Sequence, residues 1–268
     1  MPEGHTLHRL ARLHTERYGG HKVAVSSPQG RFAASAALLD GTVLSHAEAH
    51  GKHLFHHHGE HGVVHVHLGL YGAFTEQQAP PAAPVGQVRL RVVGPTHATD
   101  LRGPTRCELL TEAETDAITT RLGPDPLRAD ADPNRAWRRI RASRTSIAAL
   151  LMDQTVLAGV GNVYRAEVLF RHGIPPMTPG KALTEEWWQA IWHDLVALMC
   201  HGVRTGSIDT VRDEHLPEVT GRAPRNDRHG GEVYVYRRAG RPCHVCGTEI
   251  ARADLVSRNL YWCPACQA

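Results

Sequence analysis

Lysine is nearly missing from this chain: Lys22, Lys52 and Lys181 are the only three among thirty basic residues. Its cations are therefore guanidinium groups, which hold their charge at any physiological pH and bind planar anions through two parallel bonds. Aromatic residues are sparse, at 6%, so the cores must rest mainly on aliphatic side chains. No apolar run is long enough to cross a bilayer, and the amino end carries no secretory h-region. A cytoplasmic, bacterial-type protein is expected. Strong net charge is absent too, the balance being +3. A polyanion would have to be met by local patches rather than by the whole surface.

Such patches are present. Arg135, Arg138, Arg139, Arg141 and Arg144 fall close together with no acid among them. Arg222, Arg225, Arg228, Arg237, Arg238 and Arg241 form a second cluster, interrupted by Asp227 and Glu232. Both suit a nucleic-acid backbone, and a solvated arginine-rich surface would read the same way. A length of 268 residues and 41% hydrophobic content allow one large domain, or two with a small appendage. Of six cysteines, Cys107 and Cys200 stand alone and read as small buried hydrophobes. The others form Cys243-x-x-Cys246 and Cys263-x-x-Cys266. Four thiolates at this spacing point to one structural zinc, and an intracellular setting disfavours disulfides.

Removal of Met1 would make Pro2 a terminal secondary amine. An α-amino group titrates near pH ~8, so a neutral, nucleophilic fraction exists at neutral pH. Attack on a sugar carbon would form a Schiff base, making neighbouring bonds easier to break. Glu3 stands beside it as a general acid or base. The next residues read as a helix with Leu7, Leu10 and Ala11 on one face, stopped by Gly19-Gly20. A helix N-terminus near the amine favours its unprotonated form. Any protein can begin Met-Pro-Glu, so this reading needs support from elsewhere.

Strand-like runs follow at 22–26, 42–45, 53–57, 63–68, 88–93 and 107–110, with Val23 and Val25 on one face. Their spacing suggests a β-sandwich or barrel. Residues 76–87 are rich in alanine and proline and read as a flexible loop. Thr111 with Glu114 forms a capping box for a helix to about Arg121. Asp132-Pro133 opens another, with Trp137 and Ile140 inward and the arginines opposite. Residues 146–153 read as a short apolar helix and 156–161 as irregular. Asn162 can cap a helix reaching His172, and Thr184 opens one to about Met199. The signal is poor from 201 to 228, and 233–236 reads as the start of a strand.

Several smaller features carry chemistry. Gly159-Val160-Gly161-Asn162 is a glycine turn entering a helix, whose free N–H groups suit a phosphate. Arg258, on a loop between the cysteine pairs, could grip a phosphate with two bonds. Lys52 opens a strand and could set a compact cation at a phosphate or move a proton. Gly69-Leu70-Tyr71-Gly72 is a turn whose apolar pair could fill the hole left by an extruded base, or simply pack a hairpin. His53, His56, His57, His58, His61, His65 and His67 crowd one region; solvated strand faces explain them better than a metal site.

Four fragments stand in order: Met1-Pro2-Glu3-Gly4; Gly51-Lys52-His53-Leu54; Met152-Asp153-Gln154 with Ala158-Gly159-Val160-Gly161-Asn162-Val163-Tyr164 and Glu167; and Val235-Tyr236-Arg237-Arg238 through Cys266. Together they resemble the formamidopyrimidine-DNA glycosylase and endonuclease VIII family of bifunctional DNA repair enzymes, over nearly the whole chain. The resemblance implies an α+β multidomain fold. An N-terminal β-sandwich catalytic domain with a leading helix would span 1–120. A helix–two-turns–helix DNA-binding domain would span 121–228, and a C-terminal β-hairpin zinc finger 229–268.

The resemblance also implies roles. Pro2 would attack C1′ of the damaged nucleotide, and Glu3 would assist ring opening and proton transfer. Lys52 would contact the flanking phosphate and assist catalysis. Asn162 would bind backbone phosphate, Arg258 would grip phosphate and support a second elimination, and Arg121 would contact DNA. Leu70 and Tyr71 would form the wedge. Cys243, Cys246, Cys263 and Cys266 would hold one Zn2+. Damaged DNA is the implied partner, with no membrane, no small-molecule cofactor and a monomeric state.

Two positions depart from the family pattern. Leu260 stands where the finger commonly has threonine, and Gly69 where endonuclease VIII-type members can carry a polar side chain. Glu3-Gly4 and Leu70-Tyr71 look more like endonuclease VIII, which favours oxidised pyrimidines. No arginine–phenylalanine wedge of the formamidopyrimidine branch stands near Arg102–Arg106. Three alternatives stay open: purine lesions of the 8-oxoguanine type, a zinc-finger DNA-binding protein without catalysis, and a histidine-rich metallohydrolase.

Overall fold

The structure, a computed structural model, describes residues 2–226 and 230–268. The chain divides into two compact units, Met1–Arg121 and Leu122–Ala268. Met1, Asp227 and Arg228, all invoked above, lie outside the described residues.

The N-terminal unit begins with α1 (Gly4–Tyr18), followed by β1 (His21–Lys22), β2 (Ala24–Ser26), α2 (Ala33–Leu39) and β3 (Val43–Leu44). Then come β4 (His46–His50), β5 (His53–His57), β6 (Val63–His67), β7 (Ala73–Gln78), β8 (Val88–Val93), β9 (His97–Arg102), β10 (Arg106–Leu110) and α3 (Glu112–Thr119). Two four-stranded antiparallel sheets, ordered β10-β6-β5-β4 and β2-β8-β9-β7, form a sandwich, with β1 and β3 as a separate pair. One core joins Leu7, Ala11 and Tyr18 of α1 to Leu54, Val64 and Val66 of the first sheet and Leu90, Val92 and Leu101 of the second. Strand alternation puts Ala47, Ala49, Leu54, Val64 and Val66 inward, so α1 covers an apolar face.

The strands at 53–57 and 88–93 fall where sequence alternation places them, and the Thr111–Glu114 capping box is formed. Other expectations change. The run at 22–26 is split between two sheets at Val23. Residues 76–78 belong to β7, so the proline-rich loop starts later. β4, β7, β9 and α2 carry little alternation and were not predicted. Cys107 and Cys200 are half-buried rather than buried.

The C-terminal unit contains α4 (Pro133–Arg141), α5 (Ile147–Leu150), α6 (Asn162–Arg171), α7 (Glu185–Thr205), α8 (Pro217–Thr220) and the hairpin of β11 (Ala251–Leu255) and β12 (Arg258–Trp262). Pro133 at the first turn and the Asp132 side chain on the Asn134 N–H start α4, which buries Trp137 and Ile140 and exposes its arginines. The core runs from these through Tyr164, Trp188 and Leu195 to Tyr234, Leu260 and Cys263. Residues 233–236 do not form the expected strand: the N–H groups of Tyr234, Val235 and Tyr236 donate to the carboxylate of Glu167 at 2.7, 2.9 and 2.8 Å. Thr210 adds a fourth bond at 2.6 Å. A buried carboxylate with four donors takes the place of a neighbouring strand.

Candidate active site and nucleic-acid interface

In the N-terminal unit the apolar face of α1 fixes where its first turn begins. Glu3 is the N-cap, in extended conformation, and its side chain makes no capping bond. It is fully buried at the positive end of the helix. Pro2 precedes it, half-buried. His5, in the first turn, is buried; burial, with the amino-terminal charge and Arg9 adding to it, holds its pKa down to about 4. The ring nearest this end is thus neutral.

Lys52 sits at the tip of the β4–β5 hairpin. Pairing of His50 with His53 leaves Gly51 and Lys52 as a two-residue loop. Gly51 takes φ +60 and Lys52 stays at negative φ, the pattern of a turn that needs glycine first. Leu70 and Tyr71 lie in the turn after β6 and are 46% and 87% exposed. At Gly69, with φ +66, a Cβ would come within 1.8 Å of Thr105 Oγ1, so a side chain here would have to displace that hydroxyl and take a strained backbone angle. Arg121 is exposed just beyond α3.

Of the clustered histidines only His61 is exposed; His56, His58 and His65 are buried and His53, His57 and His67 half-buried, so they are not the solvated faces that the sequence suggests. Cross-strand partners share a face, so Glu48, Phe55, His65 and Glu108 form one row and His50, His53, His67 and Arg106 the next. His65 is buried and bonded to Glu108 and His53 at 2.9 and 2.8 Å. On the opposite face His56 bonds His14 at 2.8 Å, and His14 reaches Glu76 at 3.2 Å. These rings bind one another. Among the described residues, only the four cysteines cluster as metal ligands can. Spacing alone could not reveal this, because the partners Glu76 and Glu108 lie on other strands.

In the C-terminal unit Asn162 is not the cap but the first residue of α6, after Gly161. Its Nδ2 donates to the carbonyl of Asn259 at 2.9 Å, and its Oδ1 accepts from Arg165. Arg165, fully buried, also donates to Asn259 at 3.1 Å. The glycine turn before it is braced by Gln154, whose Oε1 accepts from Gly159 N–H at 3.0 Å and whose Nε2 donates to Val160 at 3.0 Å. Arg258 is exposed beside Asn259, at a hairpin tip where Val256 and Ser257 both have positive φ. Leu260 faces the core, which explains an apolar residue at that position. Asn162 is thus tied to the backbone of the residue after Arg258, and a groove of about 530 Å³ beside that hairpin is lined by Asp153, Arg165, Ser257 and Arg258 but not by Asn162. Arg165 and Asn259 were not found from sequence. The five arginines of 135–144 are exposed, whereas Arg238 of the second cluster is buried and donates to Pro242 at 2.6 Å.

The sulfur atoms of Cys243, Cys246, Cys263 and Cys266 all lie within 4.8 Å of one another. The pairs Cys243–Cys266 and Cys246–Cys263 are 3.9 and 3.4 Å apart. Tetrahedral zinc with bonds of about 2.3 Å separates its sulfurs by ~3.8 Å. The backbone N–H groups of Val245 and Cys266 point at Cys243 and Cys263 sulfur at 3.4 Å, as donors to thiolates do. The four residues fit one structural zinc.

Three family models match in this order: the formamidopyrimidine-DNA glycosylase N-terminal domain at residues 1–107, its helix–two-turns–helix domain at 122–213, and the zinc finger found in FPG and IleRS at 240–268. Endonuclease 8 1 of Mycobacterium tuberculosis is 58% identical, over 100% of both chains. The chain belongs to the formamidopyrimidine-DNA glycosylase family. That family's endonuclease VIII and formamidopyrimidine members are DNA glycosylases and abasic-site lyases of base excision repair. Among solved structures, MutM (Fpg) from Thermus thermophilus superposes with a TM-score of 0.75 at 27% identity, covering 99% of this glycosylase and 98% of that chain. Lactococcus lactis formamidopyrimidine-DNA glycosylase bound to DNA with an abasic site has the same fold, with a TM-score of 0.77 at 20% identity and 99% coverage of each chain.

Proposed function

We propose that this glycosylase excises oxidised bases from DNA, pyrimidines above purines, and cleaves the strand through a Schiff base on Pro2. The observation that carries this reading is the start of α1. There a second-position proline adjoins a buried Glu3 whose carboxylate does not cap its own helix. Trimming of Met1 frees the Pro2 nitrogen. The target nucleotide leaves the stack at a cost on the order of a few kcal/mol. The Pro2 nitrogen bonds to C1′, the glycosidic bond breaks, and the base departs with its electron pair and takes up a proton. Glu3 supplies a proton to O4′ as the sugar ring opens. The resulting iminium makes the C2′ proton acidic; its loss expels the 3′ phosphate with the electrons of the C3′–O bond. A second elimination at the 5′ side leaves a one-nucleotide gap, and water then releases Pro2.

Lys52 contacts the flanking phosphate and assists proton transfer. Asn162 and Arg258 hold backbone phosphate without reading sequence, and Arg121 adds a further contact. The exposed Leu70 and Tyr71 fill the space that the extruded base leaves. The protein works as a cytoplasmic monomer whose modules span 1–120, 121–228 and 229–268. Borohydride should trap the trimmed protein on DNA carrying an abasic site. A retained N-terminal tag should abolish trapping while DNA binding persists. No adduct from protein with a verified Pro2 terminus would refute the nucleophile. A lesion panel separates the pyrimidine preference from 8-oxoguanine-type specificity.

A further inference from the structure

Below the Gly51–Lys52 turn runs a hydrogen-bond chain that the reaction above does not use. Glu108 Oε1 lies 2.9 Å from His65 Nδ1, and His65 Nε2 lies 2.8 Å from His53 Nδ1. Chemistry fixes its direction. A carboxylate only accepts, so His65 Nδ1 carries the hydrogen. The other nitrogen of a neutral imidazole is then an acceptor. His53 Nδ1 must donate into it, which leaves the His53 Nε2 as a bare lone pair. Both rings are neutral: burial first, then the neighbouring His65, His67 and His50, pulls the His53 pKa down to about 3. Burial also lowers His65, against the pull of Glu108. Ring packing locks the arrangement. His53 stacks on His65 at 5.0 Å, Phe55 stacks on His65 at 5.1 Å, and His67 meets His53 edge-on at 5.1 Å. A carboxylate on β10 therefore dictates which nitrogen is protonated at the foot of a turn on β5.

The foot of that turn is crowded. His50 and His67 pair with His53 in register, Arg106 pairs with His67, and the charge of Lys52 reaches His67. A second series, Glu76–His14–His56, follows the same logic on the opposite face, but it ends in the core against Phe74. Only the outer series ends at the turn that carries the lysine.

We propose that Glu108 and His65 make His53 a positioning residue for Lys52, by holding a fixed acceptor under the hairpin tip and the tip itself in one conformation. The proposal rests on the reading of Lys52 as a catalytic group. Imidazole nitrogen-15 NMR of the full-length protein tests the chain directly: His53 and His65 should both be protonated at Nδ1. Glu108→Ala should shift the His53 proton towards Nε2. It should also lower kcat for cleavage at an abasic site about tenfold, with KM within about twofold. Glu108→Gln, whose side-chain carbonyl still accepts, should restore most of the rate. Lys52→Ala should lower kcat further, and Glu108→Ala should then add nothing, because a positioning effect needs the group it positions. A wild-type His53 protonated at Nε2 overturns the proposal. So does a Glu108→Ala loss of equal size with and without Lys52. Full kcat in Lys52→Ala overturns the reading of Lys52 and the positioning role with it, while the NMR result still decides the hydrogen-bond chain.

Discussion

Thirteen of the twenty histidines fall in the first 67 residues, and in the N-terminal unit His5, His14, His56, His58 and His65 are all buried. Among the described residues of the C-terminal unit no histidine is buried, and Arg165, Glu167 and Arg238 are buried instead. The N-terminal unit ties His14 to His56 and Glu76, His65 to His53 and Glu108, and His58 to Thr42. The C-terminal unit satisfies its guanidinium groups with backbone carbonyls and its carboxylate with backbone N–H groups. An imidazole can change its charge near neutral pH, whereas a guanidinium cannot. The first unit should therefore answer to pH, and the second to the loss of a metal or of a single charged hub.

The largest effect is expected from zinc. One zinc per chain should be found by elemental analysis and lost in Cys263→Ser. Structural zinc contributes on the order of 10 kcal/mol in small fingers, so the hairpin carrying Arg258 should lose its order. All five tryptophans lie in the C-terminal unit, so their fluorescence follows that unit alone. It should change on zinc loss while the histidine proton signals of the N-terminal unit stay in place. A second metal per chain, or fluorescence unchanged without zinc, would break the contrast.

Next in size is Glu167→Ala. It strands the N–H groups of Tyr234, Val235 and Tyr236 in the core, and the cost should be about 3–5 kcal/mol in urea unfolding followed by tryptophan fluorescence. Glu76 receives His14, Arg17 and Tyr18, but its side chain is 20% exposed. Water can replace those partners in part, so Glu76→Ala should cost about 1–3 kcal/mol. Equal losses would mean that burial does not govern the difference.

These hubs also mark what could be read in advance. The zinc cysteines and the Thr111 and Asp132 helix starts are local patterns, and local geometry realises them. Glu167 stood inside a recognisable motif, yet its work is to hold residues 67 to 69 positions away. The run at 233–236 has strand character in its side chains, but its backbone donors are taken by a carboxylate, which no periodicity registers. The same holds for Asn162, whose amide turns to Asn259, 97 residues on. β4, with His46, Glu48 and His50 on its polar face, lacked the apolar alternation that marks a strand because its outer face is built from titratable groups.

The smallest effect per residue is the most diagnostic of the contrast, because it comes from pH. The folded pKa values of His5 and His58 lie near 4 and that of His53 near 3, while His56 is held well below 6.5, in every case by burial first. Each lies below the ordinary value, so between the two values the unfolded chain takes up the protons. Stability is then complete above about pH 6.5 and falls as the pH drops towards 4. Each ring can contribute up to about 1.4 kcal/mol per pH unit in that window. His57 runs the other way: its bond to Glu48 raises its pKa, so its contribution is present in acid and fades as the pH rises. Glu76 does not offset the loss. Burial works to raise it, but His14, Thr99 and Arg17 bring it to about 2, and its stabilisation also disappears only on acidification. Urea unfolding at about pH 7.5 and pH 5 should therefore show the histidine signals moving to lower urea well ahead of the tryptophan fluorescence. Equal shifts of both signals would mean that the acid response is not lodged in the imidazole-rich sandwich.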